Sequence, residues 1–144
     1  METTKQIQEQ IVEEFSIFDD WMDKYAYIIE QGNSLQTMND KYKTPENIIE
    51  GCQSRVWLQC DYKDGKLYFR AESDAIIVKG LLALVLRVFS QRTPDEIINT
   101  ELFFMKEIGL IEHLSPTRSN GLLAVIKQIR MYAMAYKAKE KAAQ

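Results

Sequence analysis

Apolar residues recur at helical spacing along the first part of the chain. The first series consists of Ile7, Ile11, Phe15 and Phe18. Apolar positions three and four residues apart lie on one face of an α-helix, so this series predicts a helix from about Thr4 to Phe18. A second helix is predicted to begin after Asp19 or Asp20, either of which can cap it, and to end at Gly32.

The spacing of apolar residues then changes from the helical period to the two-residue period of a strand. Apolar side chains alternate with polar ones from Val56 to Lys63 and again from Lys66 to Ala71. The intervening pair Asp64-Gly65 is a strong hairpin signal, because both residues accept the positive φ angles of a tight turn. A third strand is predicted from Asn47 to Glu50.

Helices are predicted for the second half of the chain. A strongly apolar helix should run from about Ala75 to Ser90, capped by Ser73 or Asp74. Thr93-Pro94-Asp95-Glu96 forms a capping box with proline at the first helical position, so another helix starts there. Two more helices are expected, one capped by Thr100 and ending near Gly109, and one starting at Ser115-Pro116 or Ser119 and running to about Lys139. The predicted fold class is therefore α+β, with a small antiparallel sheet flanked by helices.

Length and composition favour one ordinary globular domain. The chain has 144 residues, 46% of them hydrophobic and 27% charged, and contains no linker-like or repetitive tract. We therefore expect a single domain over residues 1–144. The net charge of −3 argues against nucleic acid or an anionic membrane as the main partner. No apolar run approaches a membrane span, and the first residues lack the apolar core of a secretory signal, so a cytoplasmic location is expected.

Cys52 is the leading candidate for chemistry. It follows Gly51 at the start of a predicted strand, where the backbone must turn, whereas a structural cysteine usually lies inside an element. A thiol held at a loop tip can meet another molecule, and Arg55 is close enough in sequence to supply positive charge. A loop cysteine without a task remains the alternative.

The other chemically capable residues have simpler explanations. Strand alternation places Cys60 on the apolar face of the hairpin, where it is expected to be buried filler. His113 is expected to be solvated or hydrogen-bonded, because one histidine and two separated cysteines make a poor metal site. Arg118 follows Ser115 and Pro116 at a predicted helix start, which can be plain N-capping or an anion-friendly corner.

Three segments resemble the SufE family, the sulfur-acceptor partners of cysteine desulfurases in iron–sulfur cluster assembly. They are Gly51-Cys52-Gln53-Ser54-Arg55-Val56-Trp57, Asp74-Ala75-Ile76-Ile77-Val78-Lys79-Gly80-Leu81-Leu82-Ala83 and Leu114-Ser115-Pro116-Thr117-Arg118-Ser119-Asn120-Gly121-Leu122. Lys24 to Gly32 adds further support, and the similarity covers about Phe15 to Arg130, the core of the expected domain. The resemblance implies the fold shared by SufE and the NifU or IscU-like scaffold proteins.

The resemblance also implies a function. Cys52 would take persulfide sulfur from a SufS-like cysteine desulfurase, stimulate that enzyme, and deliver sulfur to an iron–sulfur scaffold such as SufBCD. Arg118 matches the family's arginine and would lie near the Cys52 loop, whereas Arg55 occupies a variable position. The chain would bind no metal or cofactor of its own, because the pyridoxal phosphate belongs to the desulfurase. It lacks the further cysteines with which the related scaffolds hold a cluster, which favours a sulfur shuttle over a cluster scaffold. The resemblance further implies that the chain is not itself an enzyme.

Two other functions stay open from the residues alone. A thiol-dependent enzyme would need a general base beside Cys52, and only His113 could serve. A non-catalytic regulator that binds a desulfurase would leave Cys52 incidental.

Overall fold

The computed structural model of the protein describes residues 2–143 and has the predicted α+β architecture; Met1 and Gln144, the ends of the expected domain, lie outside the described residues. Its α-helices are α1 (Thr4–Ser16), α2 (Trp21–Gly32), α3 (Ile76–Phe89), α4 (Pro94–Asn99), α5 (Phe104–Glu107), α6 (Leu110–His113) and α7 (Pro116–Ala142). The strands are β1 (Val56–Lys63) and β2 (Lys66–Ser73), and short 3₁₀ turns cover Asp40–Tyr42 and Pro45–Asn47.

The two strands form the antiparallel hairpin that the sequence predicts. Val56 pairs with Ser73 at the open end and Lys63 with Lys66 at the turn. Asp64 and Gly65 have φ angles of 52° and 79°, so both central residues of the turn adopt the left-handed conformation that matches the twist of the strands. An isolated hairpin is marginal in water; here α3 packs on β2 and α7 contacts β1.

Helix α3 lies at the centre of the core. Its middle residues are buried on every side, and Leu82 and Val85 have no exposed surface. Helix α2 packs on α3 with no space for a side chain between them at Gly80, since a Cβ atom there would lie 2.0 Å from the carbonyl oxygen of Ile28. Glycine is therefore required at position 80 to bring the two backbones into contact.

The predicted third strand is wrong. The segment from Asn47 to Glu50 makes only a single bridge, between Ile48 and Trp57, with the Ile49 N–H donating to the Val56 carbonyl at 2.9 Å. Pro45 begins a 3₁₀ turn that includes Asn47, and Gly51, with a φ angle of 91°, turns the chain immediately after Glu50. The segment between these two turns is therefore too short to form a ladder of β-sheet hydrogen bonds.

Two predicted helix caps are also wrong. Ala75, not Ser73 or Asp74, is the N-cap of α3, because the Asp74 carboxylate accepts the Arg55 N–H and the Ser73 hydroxyl accepts the Ala75 N–H. Thr100 caps no following helix. It ends α4, and its hydroxyl donates to the Glu96 carbonyl.

The region after Thr100 therefore begins with an irregular stretch and continues with two short helices in place of one. Helices α5 and α6 are separated at Gly109, which has a φ angle of 78°. The other predicted helix starts are correct: Asp20 caps α2, Thr93 and Glu96 form the capping box of α4, and Ser115 caps α7. Within residues 2–143, no helix is both long enough and apolar enough to cross a bilayer.

Candidate functional site

The backbone turn at Gly51 directs Cys52 inward, against helix α7. The positive φ angle of Gly51 suits a residue without a side chain. The thiol of Cys52 lies over the backbone of Gly121, and its Sγ donates to the Gly121 carbonyl oxygen at 3.6 Å. The sulfur therefore does not project from an open loop tip but rests half-buried between the loop and the helix.

A cavity of about 70 Å³ adjoins Cys52. Its apolar wall comes from β1, α3 and α7, and consists of Val56, Val78, Leu81, Leu82, Leu122 and Val125. Its polar rim consists of Gln53, Ser54, Thr117 and Arg118. Because an ordered water needs only about 15 Å³ of such space, the cavity has room for at least one further atom of the size of sulfur beside the thiol.

The apolar wall affects the ionisation of the thiol. Burial raises the pKa of Cys52 above the ordinary value of 9.0, because a thiolate loses hydration in this environment. The resting site thus favours the neutral, protected thiol. A reactive thiolate requires the side chain to move toward solvent or a cation to approach it.

Arg118 is the cation that the structure brings to the cavity. Its backbone N–H donates to the Ser115 hydroxyl at 3.2 Å, which fixes the first turn of α7. Its side chain is exposed, and its guanidinium has no hydrogen bond or ion pair with any residue in the range 2–143. The residue therefore combines N-terminal helix geometry with a free positive charge at the cavity rim.

Arg55 lies outside the cavity lining. Its backbone N–H donates to the Asp74 carboxylate at 3.1 Å, which ties the start of β1 to the end of β2. The side chain is exposed and does not contribute to the cavity wall. Arg55 is therefore close to Cys52 in sequence but does not line the same cavity.

Cys60 belongs to the hairpin and not to the cavity. Its side chain packs against the core from β1, and the thiol contacts the Asp61 carbonyl at 3.9 Å. Burial, together with the nearby Asp61 carboxylate, raises the pKa of Cys60 to about 12. Both cysteines are free thiols, and Cys60 is held in its unreactive neutral form at physiological pH.

His113 is engaged elsewhere in the molecule. Its ring stacks on Trp21 with the ring centres 3.8 Å apart, and its Nδ1 lies 3.0 Å from the Gly109 carbonyl. It is not among the residues that line the Cys52 cavity. Across residues 2–143, no three histidine, cysteine or acidic side chains come together as potential metal ligands.

Gly121 contributes to the site in a way that was not expected from its position in the sequence. Its carbonyl receives the Cys52 thiol, and a Cβ atom at this position would lie 3.1 Å from the Cys52 sulfur. The available signal was an isolated glycine inside a helical pattern, which usually has a packing reason. Which group it makes room for follows only from the three-dimensional contact.

The fold and the site together define a class of protein: a small α+β domain that shelters one thiol in an apolar cavity with a free arginine at its rim. The model of the SufE family, described as an Fe-S metabolism associated domain, matches residues 9–133. The chain belongs to the SufE family, and it has a role in sulfur metabolism.

Similar proteins agree with this assignment. The chain is 44% identical over 130 residues to an uncharacterized SufE-like protein of Rhizobium meliloti, a match that covers 87% of this chain and 93% of the relative. A SufE-like protein of Rhizobium etli is 42% identical over 127 residues, covering 85% and 86%. A solution structure of a hypothetical protein from Thermus thermophilus has the same fold, with a TM-score of 0.74 at 18% identity over 90% of this chain and 94% of that one.

Proposed function

We propose that this protein is a sulfur acceptor that takes persulfide sulfur from a cysteine desulfurase onto Cys52. The observation that carries the proposal is the half-buried Cys52 thiol with an apolar cavity beside it, in a chain of the SufE family. A thiol that must hold an easily oxidised sulfur benefits from an enclosed apolar site. A scaffold that holds a cluster would need more ligands than this site provides.

The transfer is an exchange at sulfur. The Cys52 thiolate attacks the terminal sulfur of the desulfurase persulfide, and a new S–S bond forms at Cys52 as the old one breaks. The desulfurase cysteine leaves as a thiolate and takes up a proton, which balances the proton lost by Cys52. One S–S bond replaces another, so the step needs no external oxidant or reductant.

Arg118 has the geometry to assist this exchange. Its unpaired guanidinium at the cavity rim can offset the negative charge of the attacking thiolate and of the persulfide that forms. We assign it a supporting role, because the sulfur chemistry itself takes place at Cys52.

The remaining parts of the proposal concern the partners. The pyridoxal phosphate that releases sulfur from cysteine belongs to the desulfurase, and this chain carries no cofactor. It is a sulfur carrier that stimulates a SufS-like desulfurase by removing its sulfur, and not an enzyme in its own right. The loaded protein then passes sulfur to a cytoplasmic SufBCD-like iron–sulfur scaffold.

Replacing Cys52 with serine tests the proposal. We expect Cys52→Ser to abolish the stimulation of desulfurase turnover while binding to the desulfurase persists, because the variant retains the surface but not the nucleophile. Mass spectrometry of the wild type after incubation with desulfurase and cysteine should show one added sulfur atom on the peptide that contains Cys52. Cys60→Ser is the matched control and should retain full stimulation.

Three outcomes would contradict this assignment. Stimulation that persists in Cys52→Ser would indicate a regulator that acts by binding alone. Added sulfur on Cys60 would show that Cys60, and not Cys52, is the sulfur acceptor. Turnover of a substrate by this chain without any desulfurase would indicate a thiol-dependent enzyme, for which the position of His113 offers no base at the cavity.

A further inference from the structure

Helix α7 has no side chain at the position where Cys52 rests. Gly121 is buried where the helix meets the Cys52 loop, and a Cβ atom placed on it would meet the Cys52 Sγ at 3.1 Å. The next nearest atoms, the Cα and Cβ of Cys52, would lie at 3.6 Å, an ordinary van der Waals distance. The sulfur is therefore the only part of Cys52 that an alanine at position 121 would crowd.

The Gly121 carbonyl also accepts the hydrogen bond that the Cys52 thiol donates. The missing side chain and the carbonyl group of Gly121 thus both act on the Cys52 sulfur. Glycine is a poor helix former, about 1 kcal/mol worse than alanine in a helix interior. Its presence within α7 gains a reason if the position must admit the sulfur.

We propose that Gly121 is the positioning residue that holds Cys52 in its protected resting place, and that this hold is weaker once sulfur has been accepted, so that the loaded cysteine still rests in the cavity but leaves it more often. This inference rests on the proposed function and deepens it by assigning a state-dependent contact. The unloaded thiol carries a hydrogen that it donates to the Gly121 carbonyl. In the loaded form, Sγ is bonded to Cβ and to the second sulfur, so it carries no hydrogen and loses that contact.

The loss of the contact favours opening of the loop. The Sγ of the persulfide brings lone pairs, and no donor, against the Gly121 carbonyl oxygen, and the added sulfur must share the cavity. Gly51, with a φ angle of 91°, immediately precedes Cys52, and glycine has the conformational freedom that a moving loop needs. Loading at Cys52 thus weakens the contact that kept the side chain enclosed.

The first experiment measures how fast iodoacetamide alkylates each cysteine of the full chain, read peptide by peptide between pH 6 and 9. We expect Gly121→Ala to raise the alkylation rate of Cys52 about tenfold, because crowding by a few tenths of an ångström shifts the side chain toward its open position. The pH profile of Cys52 should move toward lower pH in this variant, since the displaced thiol regains hydration. The rate of Cys60 in the same sample should not change.

Asn120→Ala is the matched control, because Asn120 is exposed and precedes Gly121 in the same helix. It should leave both cysteine rates at the wild-type level. Equal Cys52 rates and pH profiles in Gly121→Ala and Asn120→Ala would overturn the proposal. A parallel increase at Cys60 would likewise overturn it, since that result indicates general loosening of the fold.

A second experiment needs no substitution at Gly121. The wild-type protein is loaded with inorganic polysulfide, which delivers one sulfur to Cys52 as the shortened polysulfide leaves, and amide hydrogen exchange of the loop from Gly51 to Arg55 is compared with that of the reduced protein. We expect roughly tenfold faster exchange in the loaded form. Unchanged exchange would refute a weaker hold on the loaded cysteine. Neither experiment uses a desulfurase, so the desulfurase assays with Cys52→Ser can fail independently of them.

Discussion

Arg118 and Arg55 are both exposed arginines near Cys52 in sequence or in space, but only Arg118 lines the cavity. The difference allows the contribution of charge at the cavity to be separated from the general charge of the surface. An exposed charge acting on an anion at the protein surface contributes about 0.2–1 kcal/mol. The effect of one arginine on the sulfur-transfer step should therefore be modest and dependent on ionic strength.

We expect Arg118→Ala to slow sulfur transfer to Cys52 about two- to fivefold, whereas Arg55→Ala has no effect beyond that of changing the net charge. The rate of persulfide formation in single-turnover assays with the desulfurase measures this. The difference between the two variants should shrink at about 0.5 M salt, where charges are screened within a few ångströms. Equal rates of persulfide formation in both variants at low salt would rule out a role for Arg118 in the transfer.

The residues of the site were predictable to different degrees. Cys52 could be chosen from the sequence because a thiol after glycine has recognisable chemistry, whereas Arg118 was placed near it only by the resemblance to the SufE family. The half-buried state of Cys52 and the raised pKa that follows could not be predicted, since both depend on Val78, Leu81 and Val125, which arrive from α3 and α7. Gly121 acquires its role only through a partner 69 positions away.

At the scale of elements, the contact between α2 and α3 leaves less space for a Cβ atom than any other glycine contact within residues 2–143. The backbone of α3 at Gly80 meets the backbone of α2 at Ile28, and a Cβ atom on Gly32 would lie 3.0 Å from the Gly80 nitrogen. Neither backbone can move aside without separating the helices, unlike the Cys52 sulfur opposite Gly121. Gly80 should therefore tolerate substitution by alanine much less well than Gly121.

We expect Gly80→Ala to lower the free energy of unfolding by more than about 3 kcal/mol, despite the better helix propensity of alanine, because the new Cβ would lie 2.0 Å from a carbonyl oxygen. Gly121→Ala, the comparison variant, should change it by no more than about 1 kcal/mol in either direction. Urea unfolding followed by circular dichroism measures both. Near-wild-type stability of Gly80→Ala would show that the two helices separate easily.

Local signals predicted the elements best where they needed no distant partner. The Asp64-Gly65 turn and the capping box at Thr93 are complete within four residues, and both formed as expected. The cap of α3 failed because Asp74 was taken by the N–H of Arg55, nineteen positions earlier in the chain. The strand expected from Asn47 to Glu50 failed because Gly51 ends its pairing after one bridge.

At the scale of the whole molecule, a partly buried ion pair joins α1 to α3. Both nitrogens of the Arg87 guanidinium fork donate to the Glu14 carboxylate, at 2.9 and 2.7 Å, and Tyr27 of α2 donates to the same carboxylate. The hydrogen bond from Arg87 is the main reason why the pKa of Glu14 is lowered, and burial together with Glu14 raises the pKa of Tyr27 to about 12. The three helices thus share one charged contact.

We expect Glu14→Gln to reduce the free energy of unfolding at pH 7 by about 1–2 kcal/mol. A carboxylate whose pKa is lower in the folded protein stabilises it above the unfolded value of 4.5, and that contribution is lost as the pH falls through the folded value. The difference between wild type and Glu14→Gln should therefore disappear between about pH 5 and pH 3. Urea unfolding at several pH values across this range measures the difference. Glu13→Gln is the control, because Glu13 is exposed and adjacent to Glu14. If the difference in unfolding free energy between wild type and Glu14→Gln does not change with pH, the effect comes from packing and not from the charge of Glu14.

The cavity beside Cys52 has one further consequence, for the lifetime of the sulfur it would carry. Its walls come from a loop, from the central helix and from α7, and none of these encloses the sulfur without the others. Brief detachment of any of them admits oxidants and small thiols to the loaded cysteine. The lifetime of the persulfide then depends on how often these elements separate by local opening. A substitution far from Cys52 that loosens α7 would therefore increase the loss of sulfur before it weakened binding to the partners.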